Sequence, residues 1–274
     1  MALKGNLLYN GDFETGTTEG WINGAFGKLG ECVLSVSEEA KLRGNYGGML
    51  TAPGYFNESY IAYDKMCSFE EYEAFLYILP IKMVAGCYTI GYLYGLDDKG
   101  NLIDDYWLGY NNETGSWRTL KAILRGFGDI THFKVGVYYY SFEEGDKLYF
   151  DEVKLIPLRS IKGHEIADYR YFDNLTADKE WYSLIACIGK CKLRSIVRTA
   201  GVSGTDPTLD VTVDVGLLDN TKTYLSVSHT TFTGEATEEK IIDVPEVCWL
   251  RIKYTLGGTS PSFDIYHHLR IEPY

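Results

Sequence analysis

What this chain has little of narrows it before any motif is read. Only 4 of its 274 residues are Met, 5 are His and 7 are Pro. Nowhere does an apolar run approach the roughly 18 residues that a membrane-crossing helix needs. Basic charge is short as well: 26 Lys and Arg stand against 38 Asp and Glu, a formal net charge of −12. Nucleic acid needs a basic surface to meet its phosphates, so it is excluded as a partner, while a neutral or polar ligand stays compatible. Catalytic signatures are missing too. No Gly-x-Ser-x-Gly elbow occurs, because Gly201-Val202-Ser203-Gly204 lacks both the spacing and a strand-to-helix context. No Gly-rich phosphate loop is present. Cys187-Ile188-Gly189-Lys190-Cys191 has the wrong spacing for a zinc ribbon or a redox pair. His267 and His268 are adjacent on an expected strand, so they point to opposite faces and cannot share one metal. Asp97-Asp98 and Asp104-Asp105 flank a hairpin, where carboxylates are solvated turn residues by default. No catalytic residue is expected.

Met1-Ala2-Leu3-Lys4 runs straight into the first motif, so no secretory leader is expected. The six cysteines (Cys32, Cys67, Cys87, Cys187, Cys191 and Cys248) fall three in each half. An odd number cannot all pair within a domain, and reduced thiols are the expectation.

What is present in excess is Tyr (23) and Gly (29), with abundant Thr and Val and little helical periodicity. That composition favours an all-β chain, and the length allows two domains. We expect residues 1–157 to form one β-sandwich, 158–170 a linker, and 171–274 a smaller second β-sandwich. In the first domain Leu7-Leu8-Tyr9 reads as the opening strand. Others are Cys32 to Val36, Tyr72 to Pro80, Cys87 to Tyr94, Leu102 to Tyr110, Trp117 to Leu124, His132 to Tyr140 and Leu148 to Leu155. Asp97-Asp98-Lys99-Gly100-Asn101 is a strong hairpin signal, and Ser68 to Ala74 admits a helical turn. The second domain gives Trp181 to Ile188, Lys192 to Thr199, Thr208 to Val215, Lys222 to Ser228, Lys240 to Val244, Cys248 to Leu256 and Ser262 to Ile271. It holds an internal echo, Gly204-Thr205-Asp206-Pro207-Thr208-Leu209-Asp210-Val211 and Gly258-Thr259-Ser260-Pro261-Ser262-Phe263-Asp264-Ile265, read as equivalent corners of a sandwich. Acidity is concentrated in the first half: residues 1–157 carry 13 Lys and Arg against 22 Asp and Glu, a net −9.

The stretch Asn6-Leu7-Leu8-Tyr9-Asn10-Gly11-Asp12-Phe13-Glu14, with Trp21 following, resembles the start of carbohydrate-binding modules of the family 4, 9 and 22 type. Leu148-Tyr149-Phe150-Asp151-Glu152-Val153-Lys154-Leu155 is similar to their closing strand. The resemblance implies a jelly roll with Trp21 in its core. It also implies a structural calcium held by Glu14 and Asp151 with the backbone near Asp12, a hard cation with oxygen ligands. Sugar binding in such modules stacks pyranose rings on aromatic side chains. Strand parity places Tyr88, Ile90, Tyr92 and Tyr94 on one face. Tyr138 and Tyr140 share a face opposite Val135, Val137 and Tyr139, and Trp107 lies on the hairpin partner. A cleft of Tyr92, Tyr94, Trp107, Tyr138 and Tyr140 is one reading; filling of a Tyr-rich core is the other, and both stay open here.

Trp249 to Phe263, with the Gly-Thr-x-Pro corners, resembles a pattern of β-domains in tailed-bacteriophage virion proteins. The functional expectation is a non-catalytic virion protein, such as a head decoration, head fibre or tail accessory protein, assembled in the host cytoplasm as a homo-oligomer. Its partners would be other virion proteins and bacterial surface polysaccharide, with many copies raising avidity. The alternative is an extracellular polysaccharide-binding accessory module of a secreted glycoside hydrolase.

Overall fold

The structure, a computed structural model, describes residues 6–86, 88–216 and 223–274. Cys87 and Lys222, expected starts of two strands, lie outside the described residues. The chain is all-β and divides into two compact units, Met1–Ile161 and Lys162–Tyr274.

The first unit holds β1 (Trp21–Asn23), β2 (Val33–Ser37), β3 (Gly47–Thr51), β4 (Glu58–Tyr63), β5 (Cys67–Ser68) and β6 (Ala74–Met83). It continues with β7 (Tyr88–Leu96), β8 (Leu102–Asn111), β9 (Arg118–Leu124), β10 (His132–Tyr140), β11 (Lys147–Phe150) and β12 (Lys154–Leu158). One sheet runs β1-β4-β10-β7-β8, with β5 also on β10. The other runs β9-β6-β11-β3-β2, with β12 also on β6. Alternation does the sorting. Ile61, Leu93, Val135, Val137 and Tyr139 from the first sheet, and Leu79, Ile81, Leu120, Leu148 and Phe150 from the second, are essentially inaccessible. Each such side chain contributes about 1.5–3 kcal/mol by leaving water. Tyr77 carries its polar tip across this core and donates to the Gly136 carbonyl at 3.0 Å. Trp21 is core as expected: it stacks on Phe13 at 5.7 Å and donates from its indole to the Asn10 carbonyl.

The second unit holds β13 (Ile166–Leu175), β14 (Lys179–Ser183), β15 (Ile185–Ile188), β16 (Cys191–Gly216), β17 (Thr223–Ser228), β18 (Ala236–Val244) and β19 (Trp249–Pro273). β16 and β19 are 26 and 25 residues long and pair along most of that length. Each bends midway, so the two form the middle of two layers. In one layer β13 flanks β19 and β18 flanks the first half of β16; in the other, β14 flanks β19 and β17 flanks β16. Leu193, Val197, Leu269 and Ile271 of the first layer and Val211, Val213, Leu250 and Ile252 of the second are buried. The Gly-Thr-x-Pro segments make the bends. They meet at the Thr205–Thr259 pair, amid three register shifts. Asp206 and Ser260, the residues before the prolines, both sit at positive φ (49° and 50°). A Cβ on Gly204 would lie 2.7 Å from the Ser260 carbonyl, and one on Gly258 would lie 2.4 Å from that of Asp206. Glycine is what lets the two corners cross.

Several boundaries differ from expectation. Leu7-Leu8-Tyr9 is not a strand: the Asn6 side chain accepts from Leu155 N and donates to the Val153 carbonyl, and with the bond from Leu7 N to the Leu155 carbonyl it ties the segment down without a ladder. Leu148 to Leu155 is two strands, because Glu152 turns to φ 53° beside the buried Asp151. Ser68 to Ala74 runs from the end of β5 through a turn at Phe69-Glu70 to the start of β6, with no helix. β1, β3, β4 and β5 were not expected. In the second unit Trp181 to Ile188 splits into β14 and β15. The four strands expected around the corners are two long ones, since a bulge at Pro bends a strand without ending it. The expected linker 158–170 shrinks: Leu158 closes β12, and Ile166–Arg170 already pair with Ile271–His267.

Candidate functional site

The outward face of the β1-β4-β10-β7-β8 sheet is aromatic. Register fixes which side chains share it: Tyr138 opposes Ile90 and Tyr60, Tyr140 opposes Tyr88 and Glu58, and Tyr92 opposes Gly136 and Trp107. All five expected residues therefore project from one face. The rings form an unbroken row. From Phe56 the centroid steps are 6.0 Å to Phe142, 5.5 Å to Tyr140, 5.6 Å to Tyr88 and 5.6 Å to Tyr138. They continue 4.5 Å to Tyr60, 5.3 Å to Tyr92, 5.0 Å to Tyr94 and 5.0 Å to Phe26. Tyr110 branches from Tyr88, stacked at 5.3 Å.

The row is open at one end and covered at the other. Phe56 and Phe142 are exposed and Tyr88 and Tyr140 half-buried at the open end; Trp107, also half-buried, lies outside the row, across from Tyr92. Tyr92, Tyr94 and Tyr138 are only 2%, 0% and 4% exposed. This corrects the expected cleft: three of its five rings support the row from within. The cover is the turn at 24–28. Gly24, Phe26 and Gly27 adopt positive φ (73°, 57° and 72°), curling the chain back over the sheet. Phe26 lies on Tyr94, and Lys28 Nζ sits 4.9 Å over the Tyr60 ring and 5.5 Å over Tyr92. Asp105 secures both, with Oδ2 2.6 Å from Lys28 Nζ and Oδ1 accepting from the Tyr92 hydroxyl at 2.5 Å. Burial, with Asp105 alongside, pushes the Tyr92 hydroxyl far above the usual phenol range, and burial and Glu58 take Tyr60 up to about 12. Both hydroxyls stay protonated, and that of Tyr92 donates to Asp105.

Parity found Tyr92, Tyr94, Tyr138 and Tyr140. It missed Tyr60, Phe56 and Phe142, because strand β4 was not read and the other two sit on loops. Parity puts Tyr88 on the face of Tyr92 and Tyr94 as well, where it joins the row; Tyr110, which it did not single out, stacks on Tyr88.

The expected calcium ligands do not fit a calcium shell. Asp151 is inaccessible, and its Oδ2 accepts from Leu42 N at 2.7 Å and Arg43 N at 3.0 Å while Oδ1 accepts from Glu152 N. Glu14 Oε1 accepts from Asn45 N and Tyr46 N, and Oε2 from the Asn45 amide. Asp12 Oδ1 faces Glu14 N. N–H groups point their positive ends where a cation would have to sit. Among the described residues no group of three His, Cys, Asp or Glu side chains is arranged to hold a metal. Glu14 and Asp151 instead clamp the same 42–46 loop with hydrogen bonds. Those donors lower Glu14, whereas burial outweighs them at Asp151 and lifts it to about 6.

In the second unit the sequence concealed a polar chain. Tyr254 Oη lies 2.7 Å from His267 Nδ1, and His267 Nε2 lies 2.8 Å from Ser195 Oγ. Ser195 Oγ lies 2.9 Å from His229 Nε2, and His229 Nδ1 lies 2.9 Å from Glu238 Oε2. Ser195, His229 and Glu238 have the spacing of a nucleophile, base and carboxylate. Ser195 is buried with its hydroxyl shared between two imidazoles, so the chain is a satisfied core network that ties the two layers together. Its members are 34 to 72 residues apart in sequence wherever Ser195 is one of them, which is why no motif announced it.

No known family profile matches this chain, and no curated protein does. Solved structures with similarity include the C-terminal family 22 carbohydrate-binding module of Clostridium thermocellum Xyn10B. It shows 13% identity over 57% of this chain and 97% of that one, with a TM-score of 0.43. A second is the tandem family 22 module pair of Paenibacillus barcinonensis Xyn10C, at 13% identity over 95% and 96% with a TM-score of 0.40. A third is the enzymatically active domain of tailspike protein 4 of bacteriophage CBA120, at 13% identity and a TM-score of 0.42. It is matched over 56% of this chain and 22% of its own length. Similarity at these values assigns neither a family nor a ligand. No helix among the described residues is long and apolar enough to cross a membrane.

Proposed function

We propose that this chain is a non-catalytic carbohydrate-binding protein whose first unit takes a glycan along the open end of its aromatic face. The row of nine rings from Phe56 to Phe26 carries the reading. A pyranose offers an apolar C–H face to a ring and hydroxyls to the rim, which is what half-buried Tyr and Trp side chains accommodate. Tyr88, Tyr140, Phe142 and Phe56 are the contact residues at the open end, and Trp107, across from Tyr92, extends the face along the edge strand; Tyr92, Tyr94 and Tyr138 hold the rings in place. Glu58, opposite Tyr140, supplies an acceptor at the rim. Binding rather than cleavage is favoured because Asp105 is tied up with Lys28 and Tyr92. A net charge of −12 points to neutral glycans.

For the setting, a tailed-bacteriophage virion component is supported by the paired Gly-Thr-x-Pro corners of the second unit, and display of many copies would turn weak contacts into adhesion. Mass spectrometry of purified particles tests this: absence of the chain from virions would remove it. The ligand reading is tested by electrophoresis of the whole chain through gels containing neutral polysaccharides. Retardation that disappears in Trp107→Ala and Tyr140→Ala supports it; migration unaffected by every polysaccharide refutes it.

A further inference from the structure

The outer face of one second-unit layer carries a second set of rings that the first-unit site does not explain. Tyr169 and Tyr171 on β13, Tyr266 and His268 on β19, and Ile196 and Arg198 on β16 share that face by register. Tyr169 is 77% exposed, Tyr171 49% and Tyr266 46%. The layer has its own buried side, so these rings are not needed to form the core. Tyr171 and Tyr266 lie 4.5 Å apart and 30° from parallel, making a two-ring shelf. Arg198 covers the far end of Tyr266 at 5.7 Å, and among the described residues no carboxylate pairs with it. Together they line an open groove of about 630 Å³.

We propose that this groove is a second carbohydrate site, for a neutral pyranose. The choice of ligand follows from the rim. A sugar hydroxyl donates and accepts, and the rim offers both roles: Arg198 and His268 can donate, while Asp173, within reach of the Tyr171 hydroxyl at 3.4 Å, and Asp264, next along β19, accept. A polyanion would meet those carboxylates on a chain already at −12, and an apolar partner would bury the Arg198 guanidinium, which no carboxylate pairs among the described residues. Stacked Tyr rings bounded by a guanidinium on one side and carboxylates on the other match the apolar face and hydroxyl edge of an uncharged sugar.

The test uses the whole chain with the first-unit face disabled by Trp107→Ala and Tyr140→Ala, so the two sites fail separately. Mobility is measured in gels containing soluble galactan, xylan, mannan or dextran, with far-UV circular dichroism as the folding control. Residual retardation in at least one gel is expected, weakened at least tenfold by adding Tyr169→Ala with Tyr171→Ala and severalfold by Arg198→Gln. No residual retardation in any gel overturns the proposal. So does retardation indifferent to the tyrosine changes, or a Tyr169→Ala chain that changes from oligomer to monomer, since the face would then be a self-interface.

Discussion

Acidification should loosen the second unit through one residue, His267. Its ring is 1% exposed and sits between the Tyr254 hydroxyl and Ser195 Oγ. With Glu238 ionised, one proton arrangement satisfies the whole chain. Tyr254 donates to His267 Nδ1, His267 Nε2 donates to Ser195, Ser195 donates to His229, and His229 Nδ1 donates to Glu238. Both imidazoles are neutral in it. Burial, with His229 and His268 nearby, drops His267 from 6.5 to about 3. A depressed imidazole pKa means the unfolded chain binds the proton more tightly. The contribution to stability is therefore complete above 6.5 and drains away as pH falls toward 3. Two pH units below 6.5 the loss is about 3 kcal/mol, from roughly 1.4 kcal/mol per unit. The assay is hydrogen exchange of β16 and β19 amides at pH 7 and 4.5, converted to opening free energies and compared with the His267→Gln chain. Gln should cost about 1–3 kcal/mol at pH 7 by leaving one neighbour without a partner, and should then remove most of the acid sensitivity. An equal acid loss in both chains would refute the assignment to His267.

Phe26→Ala uncovers Tyr94 and should strengthen glycan binding severalfold by titration calorimetry; weaker binding would make Phe26 a contact rather than a cover. Thermal unfolding of the first unit should shift by less than about 1 °C between millimolar calcium and excess chelator, because hydrogen bonds already occupy the Glu14 and Asp151 oxygens; a shift of several degrees would restore the metal clamp. Gly136→Ala would place a Cβ 1.9 Å from the Ile61 carbonyl, in the middle of the aromatic sheet. It should destabilise the first unit by roughly 2–3 kcal/mol in urea denaturation, and an unchanged midpoint would contradict the packing. Cys32 and Cys67 stand as thiols whose pKa burial raises, to about 11 for Cys67. Below pH 8 both should react slowly with maleimides in the native chain, and rapid labelling of Cys32, the buried one of the two, would contradict its burial.

Strand alternation was legible where strands are long. β7, β8 and β10 run 9, 10 and 9 residues, and parity put Tyr92, Tyr94, Tyr138 and Tyr140 on the correct side. Exposure was not legible, because the cover is a loop whose course depends on positive φ at Phe26, a residue that rarely adopts it. The calcium expectation came from resemblance, and the donors that displace it belong to backbone of the 42–46 loop, which no side-chain pattern reports. In the second unit the repeated Gly-Thr-x-Pro was visible as a pair of corners. That each corner bends one strand rather than joining two depends on their crossing, a contact 54 residues apart that spacing cannot show.

Titration of the whole chain with a neutral polysaccharide that retards it, alongside Trp107→Ala and Tyr140→Ala, addresses the central claim most directly. Each ring is expected to carry about 1.4 kcal/mol of stacking, so each variant should bind roughly tenfold more weakly with its folding intact. Undiminished binding in both variants, or no binding by the native chain to any neutral glycan, would show that the aromatic face is structure alone.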